Sequence, residues 1–458
     1  MRHTLLATST ASFVLLLPSA GRAQAVNPTT PNNPIAYATP AANALIPEDP
    51  LQRLDDEVER STHKKLDFTF EERTRWEEKD GVNFGKSVNQ QDMLSRLRIG
   101  AIFQPVSWFK ISAMGQDARA PFYGNGAPNT LRAPMDLQEA YVELFGQTES
   151  GFGATFGREM LNYGESRLIG SPQWSNLSRT FDTGRMNYRA GRARFEILMV
   201  SPVKIVPGTY DTPELGERIV GTYNTFSSIL PGTSADAYFL DHSQNKIGGW
   251  TGAGTLDTQS YGGRLFGSLP HHFVYNLEGV DQTGHMGLLT QRAFAFAGGA
   301  ARKVSVGRPL NFSVEYKEAS GTRPGETNSG TFDQLSPSNH DKFGHEDLFG
   351  WRNLKTAKSL ETLELTRSLA LNVMYTDDWL YSAADSLYNS AGSSIALSKK
   401  GTAGTHVGQE LDSFVTYKVG PHLLGAGFGH FFKGEFIAQT TRDVNPRYFY
   451  VFQQYSFR

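Results

Sequence analysis

Residues 152–189 read FGATFGREMLNYGESRLIGSPQWSNLSRTFDTGRMNYR. Both ends alternate, as Gly153-Ala154-Thr155-Phe156-Gly157 at the start and Thr183-Gly184-Arg185-Met186-Asn187-Tyr188-Arg189 at the finish. A long polar stretch separates them. This is the pattern of a strand, a long loop and a returning strand. The arginines stand at strand ends and inside the loop. A soluble domain carries arginine anywhere on its surface. A membrane barrel has to keep it off the lipid face, so it collects in the lumen and the loops.

The same period of two recurs along the chain. Leu66, Phe68, Phe70 and Trp76 share a face opposite Asp67, Glu71, Arg73 and Arg75. Leu97, Ile99, Ala101 and Phe103 oppose Arg96 and Arg98. Phe109 and Ile111 oppose Lys110 and Ser112, and Ala140, Val142 and Leu144 oppose Glu139, Tyr141 and Glu143. Phe195, Ile197 and Met199 oppose Arg194 and Glu196. Phe312, Val314 and Tyr316 oppose Ser313, Glu315 and Lys317, and Leu411, Val415 and Tyr417 oppose Glu410, Asp412 and Thr416. Alternation of this kind specifies strands with one apolar and one polar face. A soluble sandwich shows it too. Two features favour the inside-out case. The polar faces carry charges of both signs, and the connections alternate in length. Short ones fall at 105–107, 146–151, 190–193, 268–272, 367–368 and 420–422. Long polar ones fall near 77–92, 118–135, 160–180, 201–217, 318–353 and 377–405. Short periplasmic turns alternating with long extracellular loops mark an outer-membrane barrel.

The expected fold is therefore an all-β transmembrane antiparallel barrel of about 18 strands. Residues 65–458 allow about 22 residues per strand and connection, against ~9–11 for a tilted membrane strand. A count of 16 stays open, because 218–226, 236–241 and 258–267 alternate least regularly. A barrel this wide encloses an aqueous lumen unless something plugs it. Trp76, Trp108, Tyr188, Tyr417 and Tyr455 stand near strand ends, where interfacial girdles form. The last residues, Tyr448 to Arg458, read as a closing strand with Phe449, Val451, Tyr455 and Phe457 on one face.

The N-terminus reads as an export signal over residues 1–25. Arg2 supplies the charge, Leu5 to Leu17 the apolar core, and Ala23-Gln24-Ala25 the small-residue cleavage site. Residues 26–64 then form a periplasmic linker. Its first part is rich in Pro, Asn, Ala and Thr, and Leu51 to Lys64 is charged enough for a short helix. The barrel occupies 65–458. The chain has no cysteine, which removes thiolate chemistry and cysteine-held metals, and its net charge of -2 gives no reason to expect nucleic acid. The mean hydropathy of -0.39 suits a barrel, since only alternate strand residues meet lipid.

Further blocks stand on either side of the opening stretch: Leu137-Gln138-Glu139-Ala140-Tyr141 before it, then Gly330-Thr331-Phe332-Asp333-Gln334-Leu335, Asp347-Leu348-Phe349-Gly350-Trp351-Arg352-Asn353 and Val407-Gly408-Gln409-Glu410-Leu411-Asp412 after it. With Gly157 to Gly170, Trp174-Ser175-Asn176, Phe181-Asp182 and Arg185 they resemble the alginate export family of outer-membrane porins. The resemblance implies an eighteen-stranded barrel with an electropositive, arginine-lined constriction. It implies passive passage of an anionic solute or polysaccharide, such as an alginate-like polyuronate. It also implies a monomer in outer-membrane lipid that works with periplasmic export proteins in the alginate case. Carried onto this chain, the candidate pore-lining arginines are Arg96, Arg98, Arg158, Arg167, Arg185 and Arg352. Their carboxylate partners would be Glu139, Asp182 and Glu410.

Two readings of these arginines compete. One is an anion filter, since Arg offers a fixed charge and a planar fork for carboxylates. The other is a lattice of Arg–carboxylate pairs that stiffens the wall and leaves little net field. The loop from Glu318 to Asn353 holds Asp333, His340, Asp341, His345, Glu346 and Asp347. It has no EF-hand spacing and no H-E-x-x-H, so a solvated loop without metal is the expectation. Its block Asp347 to Asn353 is a candidate for insertion into the lumen. Enzyme signatures are poor. Ser61 and Lys64 make a chance S-x-x-K. No G-x-S-x-G, P-loop or dinucleotide motif occurs, so neither catalytic residue nor cofactor is assigned. A barrel hydrolase is the alternative in another class, because a Ser–His site assembles in space rather than in sequence. A general porin without anion selectivity and a plugged structural barrel complete the alternatives.

Overall fold

In a computed structural model of the chain, the described residues are 50–85, 90–122, 127–146, 150–247, 254–441 and 444–457. The expected signal at 1–25 and the linker as far as residue 49 lie outside them. The strands, in chain order, are β1 (Leu66–Asp80), β2 (Gln90–Val106), β3 (Phe109–Arg119), β4 (Ala133–Leu144), β5 (Gly151–Glu159), β6 (Phe181–Ala190) and β7 (Ala193–Lys204). β8 (Thr212–Pro213), β9 (Glu217–Leu230), β10 (Thr233–Ile247), β11 (Gly254–Leu269), β12 (Phe273–Met286), β13 (Leu289–Ser305) and β14 (Pro309–Ala319) follow. Last come β15 (Leu354–Glu364), β16 (Leu369–Leu380), β17 (Leu387–Tyr388), β18 (Ser394–Ala396), β19 (His406–Val419), β20 (His422–Lys433) and β21 (Arg447–Phe457).

Three of these are short. β8 pairs only with the end of β7, and β17 pairs with β18 inside a loop. The other eighteen form one antiparallel ring. β1 closes it against β21, from Phe70↔Phe457 to Asp80↔Arg447. The segments 218–226, 236–241 and 258–267 lie within β9, β10 and β11, so the count is eighteen and not sixteen.

The pleat sorts the side chains as the alternation requires. Ile99, Ile197 and Met199 point outward and are 56 to 59 % exposed, while Arg96, Arg98 and Glu196 point inward and are at most 3 % exposed. Trp76, Trp108, Tyr188 and Tyr417 face outward with the apolar set. Among the described residues no helix is long and apolar enough to cross a membrane. The strands themselves present the apolar surface.

One end of the barrel carries tight turns, among them 107–108, 191–192, 231–232 and 420–421. The other end carries the long connections 160–180, 320–353 and 381–405. Most of 160–180 and 329–353 folds back into the lumen, while 323–328 and much of 391–400 stand exposed. Leu161, Tyr163 and Ile169 from the first, and Phe332, Phe343, Phe349 and Trp351 from the second, join Phe84 and Phe431 in one buried apolar cluster. Helix α1 (Pro50–Ser61) precedes the barrel, and its Asp55 carboxylate accepts the Phe68 N–H of β1 at 3.0 Å. Helix α2 (Glu435–Thr440) connects β20 to β21 and buries Phe436 and Ile437 in the same cluster.

Candidate functional site

The lumen is narrowed by the mutual docking of two loops. Gly170 N–H donates to Ser336 O, Ser336 N–H to Leu168 O and Ser338 N–H to Ser166 O, each at 2.9 Å. The Arg179 guanidinium donates to Pro337 O at 2.7 Å. This ladder needs backbone to lie against backbone. A Cβ on Gly170 would come within 2.8 Å of the Ser338 nitrogen, so glycine is required there by proximity. A third loop is tied in by Asn353, whose amide donates to Ser382 O at 3.0 Å and Ser386 O at 2.9 Å while its oxygen accepts Ser382 N–H at 2.8 Å. The block Asp347 to Asn353 is thus inside the barrel, with Phe349 and Trp351 buried. The solvated loop expected over 318–353 is corrected: its aromatic residues could not stay in water when a neighbouring loop offers an apolar partner.

The wall formed by β1 and β2 carries four inward arginines. The register sets Arg73 opposite Arg96 and Glu71 opposite Arg98. All four grip the first loop at Gln173–Ser175. Arg73 donates to Gln173 O at 2.8 Å, Trp174 O at 3.0 Å and Ser175 O at 2.9 Å. Arg75 donates to Trp174 O at 2.5 Å and lies 4.0 Å over the Trp174 ring. Arg96 donates to Gln173 O and Ser175 O at 3.0 and 2.8 Å, and Arg98 donates to the Gln173 side chain at 2.9 Å. Glu71 pairs with Arg96 at 2.6 Å, and Glu77 pairs with Arg75 at 2.5 Å. Four guanidinium groups therefore share two carboxylates and a set of neutral carbonyls.

Several other inward arginines are paired with carboxylates. Arg167 reaches from the first loop to Glu278 at 2.8 Å and Glu315 at 2.6 Å. Arg185 holds Glu159 at 2.6 Å and Glu196 at 3.4 Å. Arg264 holds Glu165 at 3.1 Å and Asp236 at 2.8 Å. Burial pushes the Glu165 carboxyl above its ordinary value, against the pull of Arg167 and Arg264. Arg158 makes a two-pronged contact with Asp182, at 2.8 and 3.1 Å. Arg352 is a loop clamp, donating to Phe332 O, Gly392 O and Asp333 at 3.0 to 3.1 Å. Glu139 accepts the Met160 N–H at 3.0 Å, and its charge bears on Arg98.

Of the nine residues singled out in the sequence, the fold joins Arg158 with Asp182 and sets Glu139 near Arg98. Glu410 departs from expectation. It accepts the Glu346 N–H at 2.9 Å and faces Asp412, rather than an arginine. Sequence reading placed Arg73 and Arg75 on a polar face but did not single them out. The signal was present: two arginines at i and i+2 in β1 mirror two at i and i+2 in β2. Only the register makes them one group.

A family model described as alginate export matches residues 64–451. No curated protein sequence matches the chain. Among solved structures the barrel is similar to Pseudomonas aeruginosa OpdK, with a TM-score of 0.60 at 8% identity over 86% of this chain and 98% of that one. It is also similar to Pseudomonas aeruginosa OccK8 (OprE), with 0.59 at 9% identity over 86% and 98%. OccK11 (OpdR) of the same organism gives 0.57 at 9% identity over 86% and 96%. At such identities the likeness is one of fold, and the fold is that of an outer-membrane porin. Family match and architecture together make this an outer-membrane channel barrel, and the chain belongs to the alginate export family.

Proposed function

We propose that the channel passes anionic solute, with polyuronate chains of the alginate kind as the fitting substrate, along the β1–β2 wall. One observation carries the reading: Arg73 and Arg96, both buried, face each other directly across the register. Like charges opposite one another on a sheet are destabilising. Their retention beside Arg75 and Arg98, with Glu71 and Glu77 as the close ion-pair partners and Glu139 bearing on Arg98, supports an excess of positive charge on this wall. Buried charge is screened little by salt, so its field extends into the passage. The family match supports polyuronate in particular and supports action with periplasmic export proteins, residues 1–25 serving as the export signal. A second reading, passage of small carboxylates, is favoured by likeness to the OpdK barrel solved with vanillate. Passage is passive and the barrel performs no chemistry on its solute.

Reversal potential in planar bilayers under a salt gradient tests this. The wild-type protein is expected to prefer anions, and Arg75→Gln with Arg98→Gln to move the potential toward the unselective value. Polyuronate oligomers are expected to block the wild-type current more than uncharged oligosaccharides of equal length. A wild-type pore without anion preference would sink the proposal. Arg185→Glu is a poorer probe, because Arg185 is already shared by Glu159 and Glu196.

A further inference from the structure

His340, Asp341 and His345 turn toward one another inside the second loop. One ligand atom from each lies within 4.8 Å of the others. His345 Nε2 is 2.8 Å from Asp341 Oδ1, and His340 Nε2 is 3.3 Å from the same oxygen. The three atoms face one another, with Asp341 Oδ1 as the shared partner of both ring nitrogens. A tetrahedral zinc site with ~2.0–2.1 Å arms sets its ligand atoms about 3.3 Å apart. The His340–Asp341 spacing matches that value, and the His345–Asp341 spacing is shorter, as for an ion pair that a metal would open. His345 is 4 % exposed, so its Nε2 reaches the cluster from a buried side chain.

The far sides of both rings are already held. Nδ1 of His340 lies 3.0 Å from the Asp347 carboxylate, and Nδ1 of His345 lies 3.3 Å from the Tyr450 hydroxyl. Metal-binding histidines are typically fixed this way, with a carboxylate or other polar group on the second nitrogen setting the tautomer and the ring angle. Stacking fixes them further. Trp174 lies parallel to His340 at 4.9 Å, and Phe414 stacks on His345 at 4.3 Å. Three carboxylates, Asp341, Asp347 and Asp412, lie about the cluster, opposed by Lys358, whose ammonium is engaged by the Asp341 carbonyl, and by Arg75, which lies over the Trp174 ring that stacks on His340. The Asp341 side chain is 29 % exposed, while its Oδ1 and the two ring nitrogens facing it are buried.

We propose that His340, Asp341 and His345 bind a divalent ion of the zinc class through two imidazoles and one carboxylate. Imidazole ligands suit zinc better than calcium or magnesium, which prefer oxygen. Three protein ligands leave a fourth position for water or a solute carboxylate. All three come from one loop, and Trp174 of the other loop stacks on a ligand. The ion therefore fastens the two-loop closure of the lumen.

The test uses the full barrel without an affinity tag, titrated with ZnCl2 by calorimetry. One equivalent is expected to bind, at least ten times more weakly in Asp341→Asn and in His345→Gln, each checked for a heat-modifiable folded band. His272→Gln, at an exposed turn, is expected to bind as wild type does. Zinc X-ray absorption on the wild-type protein covers the case in which a variant fails to fold. Two imidazoles in the first shell are expected there. Absence of binding, equal binding in Asp341→Asn and His345→Gln, or a first shell without imidazole overturns the proposal.

Discussion

A guanidinium that replaces several water contacts at once is hard to substitute. Arg96 spans Gln173 O, Ser175 O and the Glu71 carboxylate with one planar fork. Removing it leaves the Glu71 carboxylate without its close donor and the two carbonyls with Arg73 alone. The cost of breaking a buried pair by removing one partner is about 3–5 kcal/mol. Arg96→Ala is therefore expected to lower the unfolding free energy by that amount in lipid-vesicle denaturation. Arg96→Lys recovers only part, since a point charge cannot reach three acceptors in a plane. A second residue-scale effect concerns Asp211 in the connection after β7. Burial, reinforced by the Asp136 carboxylate beside it, pushes its carboxyl up to about 6. Folding thus favours the protonated form. Its contribution is complete below the ordinary aspartate value of about 3.9 and is lost as pH rises through about 6. Protection factors of the amides in 205–216, with the intrinsic pH dependence of exchange divided out, are expected to fall between pH 5 and pH 7 in the wild type and to stay level in Asp211→Asn.

At the scale of elements, the two inserted loops stand or fall together. Their ladder has no side-chain substitute, because Gly170 lies too close to the Ser338 backbone for any other residue. Gly170→Val is expected to push the first loop off the second, at an overpacking cost of about 1–3 kcal/mol. The measured signs would be new protease cutting within 160–180 or 320–353 and a larger single-channel conductance. The ring itself should persist, since none of its strand ladders involves Gly170. Asn353 offers a matched case. Its amide satisfies backbone groups of the third loop, so Asn353→Ala would leave them unpaired in a buried place.

At the scale of the molecule, closure is the decisive fact. An open sheet in lipid would expose unpaired backbone groups along two edges, each costing several kcal/mol. The pairing of β1 with β21 removes both edges. Truncation that deletes Arg447–Phe457 is expected to abolish the heat-modifiable band entirely, rather than to weaken it. The outer surface obeys the same logic. Ile99 faces lipid, and Ile99→Arg is expected to cost about 2–4 kcal/mol if the residue sits at the bilayer midplane. The expected measurement is a matching fall in unfolding free energy in lipid vesicles.

Period and order along the chain are enough to sort faces and to class the fold. The alternation of Leu97 and Ile99 with Arg96 and Arg98 decided which face meets lipid, because a strand places neighbours on opposite sides whatever its partners are. The rhythm of short and long connections decided the barrel class, and the segments from 218 to 267 were hard to count because their outward faces are interrupted by Thr222, Asn224, Gln259 and Gly263. Tertiary structure decided the rest. Arg73 and Arg96 became one charged group through a register that joins residues 23 positions apart in sequence. Arg167 found Glu278 and Glu315, and Glu410 met Asp412 and the Glu346 N–H instead of an arginine, because loops folded inward across the barrel. His340, Asp341 and His345 match no metal-binding spacing, and only the turn of an inserted loop aims their rings and carboxylate at one point. Periodicity is a local property of the backbone and can be read in one dimension. Charge pairing in a lumen is set by which chain segments cross it, and that depends on the closed ring.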